Sequence, residues 1–266
     1  MMDWDYIDLL AKQWTIEAGE RIRSSFHKTL NIETKSNRND LVTDIDKDIE
    51  QFFIQKIRGT FPTHKILGEE GLGDNLSDLD GIVWIIDPID GTMNFIHQQR
   101  NFAISLGVYE NGIGKIGIIF DVAHDEMYHA IKGKGAYMNG QIIPSLEETA
   151  VQDAILAVNA TWVMENHRID HNLMIPLVKA VRGTRSYGTA ALEMVFVATG
   201  RVDAYISMRL SPWDVAAGSI IVEELGGIAT NLRGEKLNYL TNDSLLVAKP
   251  GLHQAILSGY LKNGEW

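Results

Sequence analysis

Residues 84–95 read Trp84-Ile85-Ile86-Asp87-Pro88-Ile89-Asp90-Gly91-Thr92-Met93-Asn94-Phe95. The apolar run Ile82 to Ile86 is strand-forming and stops abruptly at an aspartate, with a second aspartate three residues on. Pro88 fixes its own φ, restrains Asp87 to extended backbone and removes one backbone donor, so local carbonyls are free to point elsewhere. Asp87 and Asp90 can then converge on one cation, with the Ile89 carbonyl as a further oxygen ligand. If Gly91 and Thr92 open a short helix, their amides can hold a phosphate oxygen. A plainer reading makes Asp90-Gly91 a turn and Asp87 a helix cap. Either aspartate alone favours that plainer reading; Asp87 to Thr92 taken as a unit favours the cation.

Two other acidic stretches invite pairing with it. In Gly68-Glu69-Glu70-Gly71, Glu69 follows apolar Ile66-Leu67 and so sits at a strand end. In Trp213-Asp214-Val215-Ala216-Ala217-Gly218, Asp214 stands where a helix begins, just after the turn-forming Ser211-Pro212. Asp214 is equally readable as a favourable charge at a helix N-terminus, and Glu69 and Glu70 as solvated acids, a reading that is preferred for Glu70. Oxygen ligands without cysteine or an organised histidine cluster point to Mg²⁺, with Mn²⁺ as a substitute. Four converging carboxylates repel a phosphate dianion unless divalent cations lie between them. A two-metal centre, its ions typically ~3.5–4 Å apart, resolves that conflict by acidifying an attacking water and stabilising the leaving oxygen. Asp46, near the start of the second helix, adds proton handling: if it accepts the Thr92 hydroxyl proton, Thr92 can orient the water as a weak general base. Alone, Asp46 is an ordinary helix acid.

Periodicity supplies the frame. Ile7, Leu10, Ala11, Trp14, Ala18 and Ile22 form one helical stripe; Ile45, Ile49, Phe52, Phe53 and Ile57 form another, ended by Gly59 and Pro62. Strands are expected at 65–67, 82–86, 102–109, 115–120 and 126–130, then a hairpin over the glycine-rich stretch 133–140, which lacks the ending of a nucleotide-binding P-loop. Beyond a polar, turn-rich stretch at 144–149, strands at 154–158, 203–206 and 244–248 alternate with helices near 167–180, 188–199, 213–225 and 251–261. The pattern predicts an α+β or α/β fold with two subdomains in one compact unit, 1–145 with most of the candidate metal ligands and 146–266 with Asp214.

Composition narrows the chemistry. Across 266 residues there is no cysteine, which excludes disulfides, thiolate zinc sites and cysteine nucleophiles. A net charge of −11 with no long Lys/Arg tract argues against nucleic acid as a direct ligand. No basic-then-apolar leader and no run of ~20 apolar residues is present, so a cytoplasmic protein without membrane attachment is expected. His167 and His171, four apart, lack a third ligand and read as a solvated helix face. No Gly-x-Ser-x-Gly elbow supports a serine hydrolase.

Together, Asp40-Leu41-Val42-Thr43 with Asp46, Gly68-Glu69-Glu70, Trp84 to Phe95, Gly188-Thr189-Ala190-Ala191 and Trp213 to Gly218 resemble the inositol monophosphatases, within the magnesium-dependent, lithium-sensitive phosphatases. The resemblance covers nearly the whole chain. It implies a layered αβαβα sandwich, a homodimer, and hydrolysis of a small phosphorylated polyol or sugar, inositol monophosphate foremost. By the same resemblance Glu69, Asp87 and the Ile89 carbonyl bind one metal, Asp87, Asp90 and Asp214 a second, and Glu69 with waters a weaker third Mg²⁺. Thr92, Asp46 and Glu69 form the catalytic set, and Gly91 with Thr92 holds phosphate. The backbone of Gly188, Thr189 and Ala190 meets substrate hydroxyls, which Asp90 also contacts. Without the family, Gly188 to Ala191 is simply a helix start with Thr189 as its cap.

One position departs from the pattern. Animal members carry a glutamate seven residues before the aspartate of the Trp-Asp motif, against the inositol ring; here that residue is Ser207, with Arg209 close by. Arg209, Arg185 or Lys35 would suit a second anionic group, as in fructose 1,6-bisphosphate or NADP, although a single arginine is ordinarily a surface charge. Met93-Asn94-Phe95 follows the inositol-phosphatase version and not that of the 3′-phosphoadenosine phosphatases. A role in RNA-processing or transcription complexes is the alternative from a different class.

Overall fold

The computed structural model of the chain describes residues 2–26, 30–34 and 41–264; Lys35 and Asp40 lie outside them. Helix α1 (Trp4–Arg23) starts where the Asp3 side chain accepts from the Tyr6 amide, and it buries Ile7, Ala11, Trp14, Ala18 and Ile22. Strands β1 (Ile32–Thr34) and β2 (Leu41–Thr43), which periodicity missed, pair antiparallel and lead into α2 (Asp44–Thr60). A reciprocal cap opens α2: Thr43 accepts from the helix amides while Asp46 accepts from the Thr43 amide. Ile49, Phe52, Phe53 and Ile57 form its buried stripe, worth about 1.5–3 kcal/mol for each fully buried side chain.

Seven strands make the larger sheet: β3 (Lys65–Gly68), β4 (Ile82–Asp90), β5 (Ala103–Glu110), β6 (Ile113–Asp121), β7 (Glu126–Ile131), β8 (Ala136–Met138) and β9 (Gln141–Ile142). They lie in sequence order, with only β3 and β4 parallel. The stretch 133–140 is indeed a turn and strand, pairing back on β7 and forward on β9. Short helix α3 (Thr92–Gln98) leaves the end of β4. The second sheet has β10 (Ile155–Val158), β11 (Gly183–Arg185), β12 (Ala204–Leu210), β13 (Ile228–Thr230) and β14 (Asp243–Ala248), in spatial order β11-β10-β12-β14-β13. Its helices are α4 (His171–Ala180), α5 (Ala190–Ala198), α6 (Pro212–Glu224) and α7 (Leu252–Gly259). Asp170 caps α4, so this helix starts at residue 171 and not 167, and His167 precedes it.

Alternation along the strands sorts these pieces into five layers. On β4, Trp84 and Ile86 pack with α1 and α2, whereas Val83 and Ile85 face the opposite way, into a core shared with α5 and α6. That middle core also takes Ala157, Tyr205, Leu245 and Val247 from the second sheet. Leu156, Ala204, Ile206 and Leu246 point outward onto α4 and α7. The architecture is therefore the expected αβαβα sandwich, with α5 and α6 buried between the sheets. Among the described residues no helix is long and apolar enough to cross a membrane.

Candidate active site

The site forms where β4 loses its regularity. Asp87 pairs with Ser105 and Asp90 with Ala103, so three steps along β4 match two along β5. In a regular strand residues three apart point to opposite faces; the extra residue of this bulge turns both aspartates to one side. From the second sheet, α6 brings Asp214 to meet them. Ligand oxygens of Asp87, Asp90 and Asp214 all lie within 4.8 Å of one another.

Each acid is aimed by a backbone amide. Asp87 accepts from the Ile89 amide at 3.0 Å, Asp90 from the Ala191 amide at 2.5 Å, and Asp214 from the Ser211 amide at 2.8 Å. Asp214 thus both caps α6 and borders the cluster, so the two readings of that residue are compatible. Asp87 and Asp90 are almost wholly buried. Burial first, then the charges of Glu69, Asp90 and Asp214, push Asp87 well above the ordinary carboxylate range. Asp90 rises for the same reasons, burial and then Asp214. Burial lifts Asp214 to about 7, with Glu69 pushing the same way and the Ser211 amide and Arg209 opposing.

These acids border a cleft of about 210 Å³ lined also by Leu41, Glu69, Ile89, Gly91, Thr92, Met93 and Gly188. Four carboxylates and no lysine or arginine make up its charged described lining. Such a set fits hard divalent cations: it supplies only oxygen donors, and its mutual repulsion is relieved by positive charge placed between them. Glu70 does not line the cleft.

Beside the acids, the Thr92 hydroxyl is 3.1 Å from Asp46 Oδ1 and 3.1 Å from the Ile89 carbonyl. The other Asp46 oxygen takes the Thr43 amide at 2.8 Å, so one buried carboxylate ties the start of α2 to the start of α3. Burial raises the pKa of Asp46 as well. Gly91, at φ 91°, is the left-handed residue that lets β4 turn into α3, and a Cβ there would collide with the Thr189 hydroxyl. Asn94 on α3 donates to the carbonyls of Asn101 and Tyr187 at 2.8 and 2.7 Å, tying that helix to the 187–189 loop.

A second cleft of about 220 Å³ adjoins the first through Asp90, Gly188 and Asp214. Thr189, Ala190, Glu193, Tyr205 and Ser207 line it, with Asn159, Thr161 and Trp162. Thr189 precedes α5 but makes no side-chain cap; its hydroxyl donates instead to the Asn101 carbonyl. Glu193 escaped the sequence reading. It is buried and accepts from the Tyr187 amide at 2.7 Å, and as the one charged residue in the apolar helix Ala190–Ala198 it carried a legible signal. Arg209 lines neither cleft. It lies within a second bulge, between Ser207 and Leu210 on β12, and lines a different cavity of about 690 Å³ with His167, Arg168 and Arg233. Arg185, on β11, is exposed and also outside both clefts.

Comparison with known proteins decides the family. Residues 3–263 match the inositol monophosphatase family model. The chain belongs to that family. It is 60% identical to the inositol-1-monophosphatase of Bacillus subtilis over 261 residues, 98% of each chain. Inositol monophosphatase II of Staphylococcus aureus, solved with inositol monophosphate bound, superposes with a TM-score of 0.86 at 41% identity, covering 95% of this chain and 92% of that one. A solved inositol monophosphatase/NADP phosphatase carrying Mg²⁺ and phosphate superposes with a TM-score of 0.88 at 30% identity, covering 96% and 95%.

Proposed function

We propose that this chain is a Mg²⁺-dependent phosphoric monoester hydrolase whose main substrate is an inositol monophosphate, cleaved by direct attack of water. The observation that carries this reading is the convergence of Asp87, Asp90 and Asp214 within 4.8 Å beside a cleft bordered by Thr92 and Glu69. Glu69, Asp87 and the Ile89 carbonyl would hold one ion and Asp87, Asp90 and Asp214 a second, with a weaker third near Glu69 and Mn²⁺ able to replace Mg²⁺. Bound there, the ions supply Lewis acidity and a more acidic water. Asp46 holds the Thr92 hydroxyl proton, which leaves a Thr92 lone pair to accept a proton of the attacking water and orient it. The amides of Gly91 and Thr92 face the phosphate. As the water oxygen bonds phosphorus, the ester P–O bond breaks, and a proton given up by the water ends on the leaving oxygen so that it departs as the alcohol.

The alcohol is read on the second cleft. Gly188, Thr189 and Ala190 offer backbone, and Asp90, Glu193 and Ser207 offer acceptors, to a hydroxyl-rich ring. In this division residues 1–145 supply Glu69, Asp87, Ile89 and Asp90, and residues 146–266 supply Asp214 and the ring contacts. The bound ligand of the Staphylococcus aureus relative and the name of the Bacillus subtilis relative support inositol monophosphate. A second reading, a substrate with a further anionic group, is favoured by the cavity that Arg168, Arg209 and Arg233 line, Arg209 lying two residues along β12 from Ser207 of the second cleft. Phosphate release from inositol 1-phosphate, fructose 1,6-bisphosphate and NADP, with Mg²⁺ and then with chelator, tests both. Fastest Mg²⁺-dependent release from inositol 1-phosphate is expected; faster release from either of the others supports the second reading, and no Mg²⁺-dependent release from any of them overturns the assignment.

A further inference from the structure

We propose that Glu50 is a positioning residue that sets the Glu69 turn for metal binding; the inference rests on the metal-site reading above. Glu50 lies on α2, one helical turn beyond Asp46, and both are fully buried. A buried carboxylate is expensive unless its oxygens are satisfied. Glu50 Oε2 accepts from the Glu70 amide at 2.7 Å and Oε1 from the Leu72 amide at 2.8 Å. Those two amides flank the tight turn at Gly71, φ 72°, directly after Glu69. On its other side Glu69 is still tied to the sheet, its amide donating to the Ile86 carbonyl at 3.2 Å. Glu69 is therefore held between a strand and a clamp, which fixes the direction in which its side chain leaves the backbone toward the cleft.

Gly68 shows how tight the clamp is. A Cβ there would lie 2.5–2.6 Å from the Glu50 carboxyl atoms, so the residue before Glu69 has to be glycine for the carboxylate to sit beneath the turn. Through Asp46 and Glu50, spaced i and i+4, a single face of α2 reaches Thr92 on one side and the Glu69 turn on the other. The helix thereby fixes the distance between the water-orienting hydroxyl and a metal ligand.

The test is a thermal melt of chelator-stripped protein titrated with Mg²⁺ alone. Glu50→Gln replaces one accepting oxygen with a donor facing an N–H, Glu50→Asp shortens the reach, and Gly68→Ala displaces the carboxylate. Each is expected to raise the Mg²⁺ concentration at half-maximal shift about 10- to 100-fold, the usual cost of losing a partner that orients a ligand. Asp74→Asn, which loosens the same connection at the Ile66 amide away from the turn, should lower the melting temperature without moving that midpoint. Wild type that shifts with Mg²⁺ alongside Glu50 variants within about twofold of its midpoint would overturn this inference alone. Wild type that does not shift at all would overturn the metal-site reading and this inference with it.

Discussion

The acidic end of the cleft and the clamp beneath it are built from the same chemical group, a buried carboxylate, and use it in opposite ways. Glu50 spends both oxygens on backbone amides, at 2.7 and 2.8 Å. Glu193, in the second cleft, likewise takes the Tyr187 amide. Asp87, Asp90 and Asp214 also take one amide each, but then face one another within 4.8 Å. An amide positions a carboxylate; it does not neutralise three of them. Burial of an acid is thus no mark of a reactive centre, whereas convergence of several is, because their repulsion is relieved only by taking up protons or by a cation placed between them.

The sharpest way to break that contrast is Asp87→Asn. Turnover of inositol 1-phosphate should fall by about a thousandfold or more, several kcal/mol of lost charge stabilisation, while the metal-free variant melts no lower than wild type because burial and the neighbouring acids already push Asp87 toward its neutral form, which asparagine mimics. Retained turnover would make Asp87 one more structural carboxylate like Glu50. Thr92→Val removes the hydroxyl between Asp46 and the Ile89 carbonyl and should lower kcat about 100-fold, with Mg²⁺ affinity nearly unchanged.

Stability against pH separates the two kinds of acid in the metal-free protein. Folding moves Asp214 from 3.8 to about 7, with Asp87 and Asp90 moved the same way, so between those values the native state holds more protons than the unfolded chain. Its contribution to stability is present at low pH and is lost as pH rises from about 4 through about 7. Melting temperature should therefore fall over that window, and less steeply in Asp214→Asn; a slope identical to wild type would show that Asp214 titrates as an ordinary acid. The smallest effect is expected at the ring end. Ser207→Glu should raise relative activity on inositol 1-phosphate by about three- to tenfold, roughly one hydrogen bond, and no change would mean that Glu193 and Asp90 already serve the ring.

Much of this site was written in local sequence. An apolar run that breaks at Asp87, a glycine after Asp90 and a Ser-Pro before Trp213-Asp214 mark strand ends and helix starts with no knowledge of partners. Periodicity made most helices and strands legible, and their αβαβα layering came from the family resemblance alone. What stayed hidden depends on pairing across the chain. The bulge that turns Asp87 and Asp90 to one face exists only in register with β5, and the bulge after Ser207 only in register with β14. Arg209 lies within that second bulge and lines a cavity other than the two clefts. Strands β11 and β13 are three residues each, too short for a period to emerge. Glu50 was absorbed into a helical stripe, since on a helix with several acids nothing local distinguishes a solvated one from one that reaches under a distant turn, whereas Glu193 stood alone in an apolar helix and could have been singled out.

If the converging carboxylates Asp87, Asp90 and Asp214 form a metal centre, Mn²⁺ will bind among them. Crystals of the protein soaked in Mn²⁺ should give an anomalous difference peak in contact with Asp87, Asp90 and Asp214, absent in Asp87→Asn. A fully Mn²⁺-soaked wild-type crystal with no peak among those three residues would contradict a metal centre there.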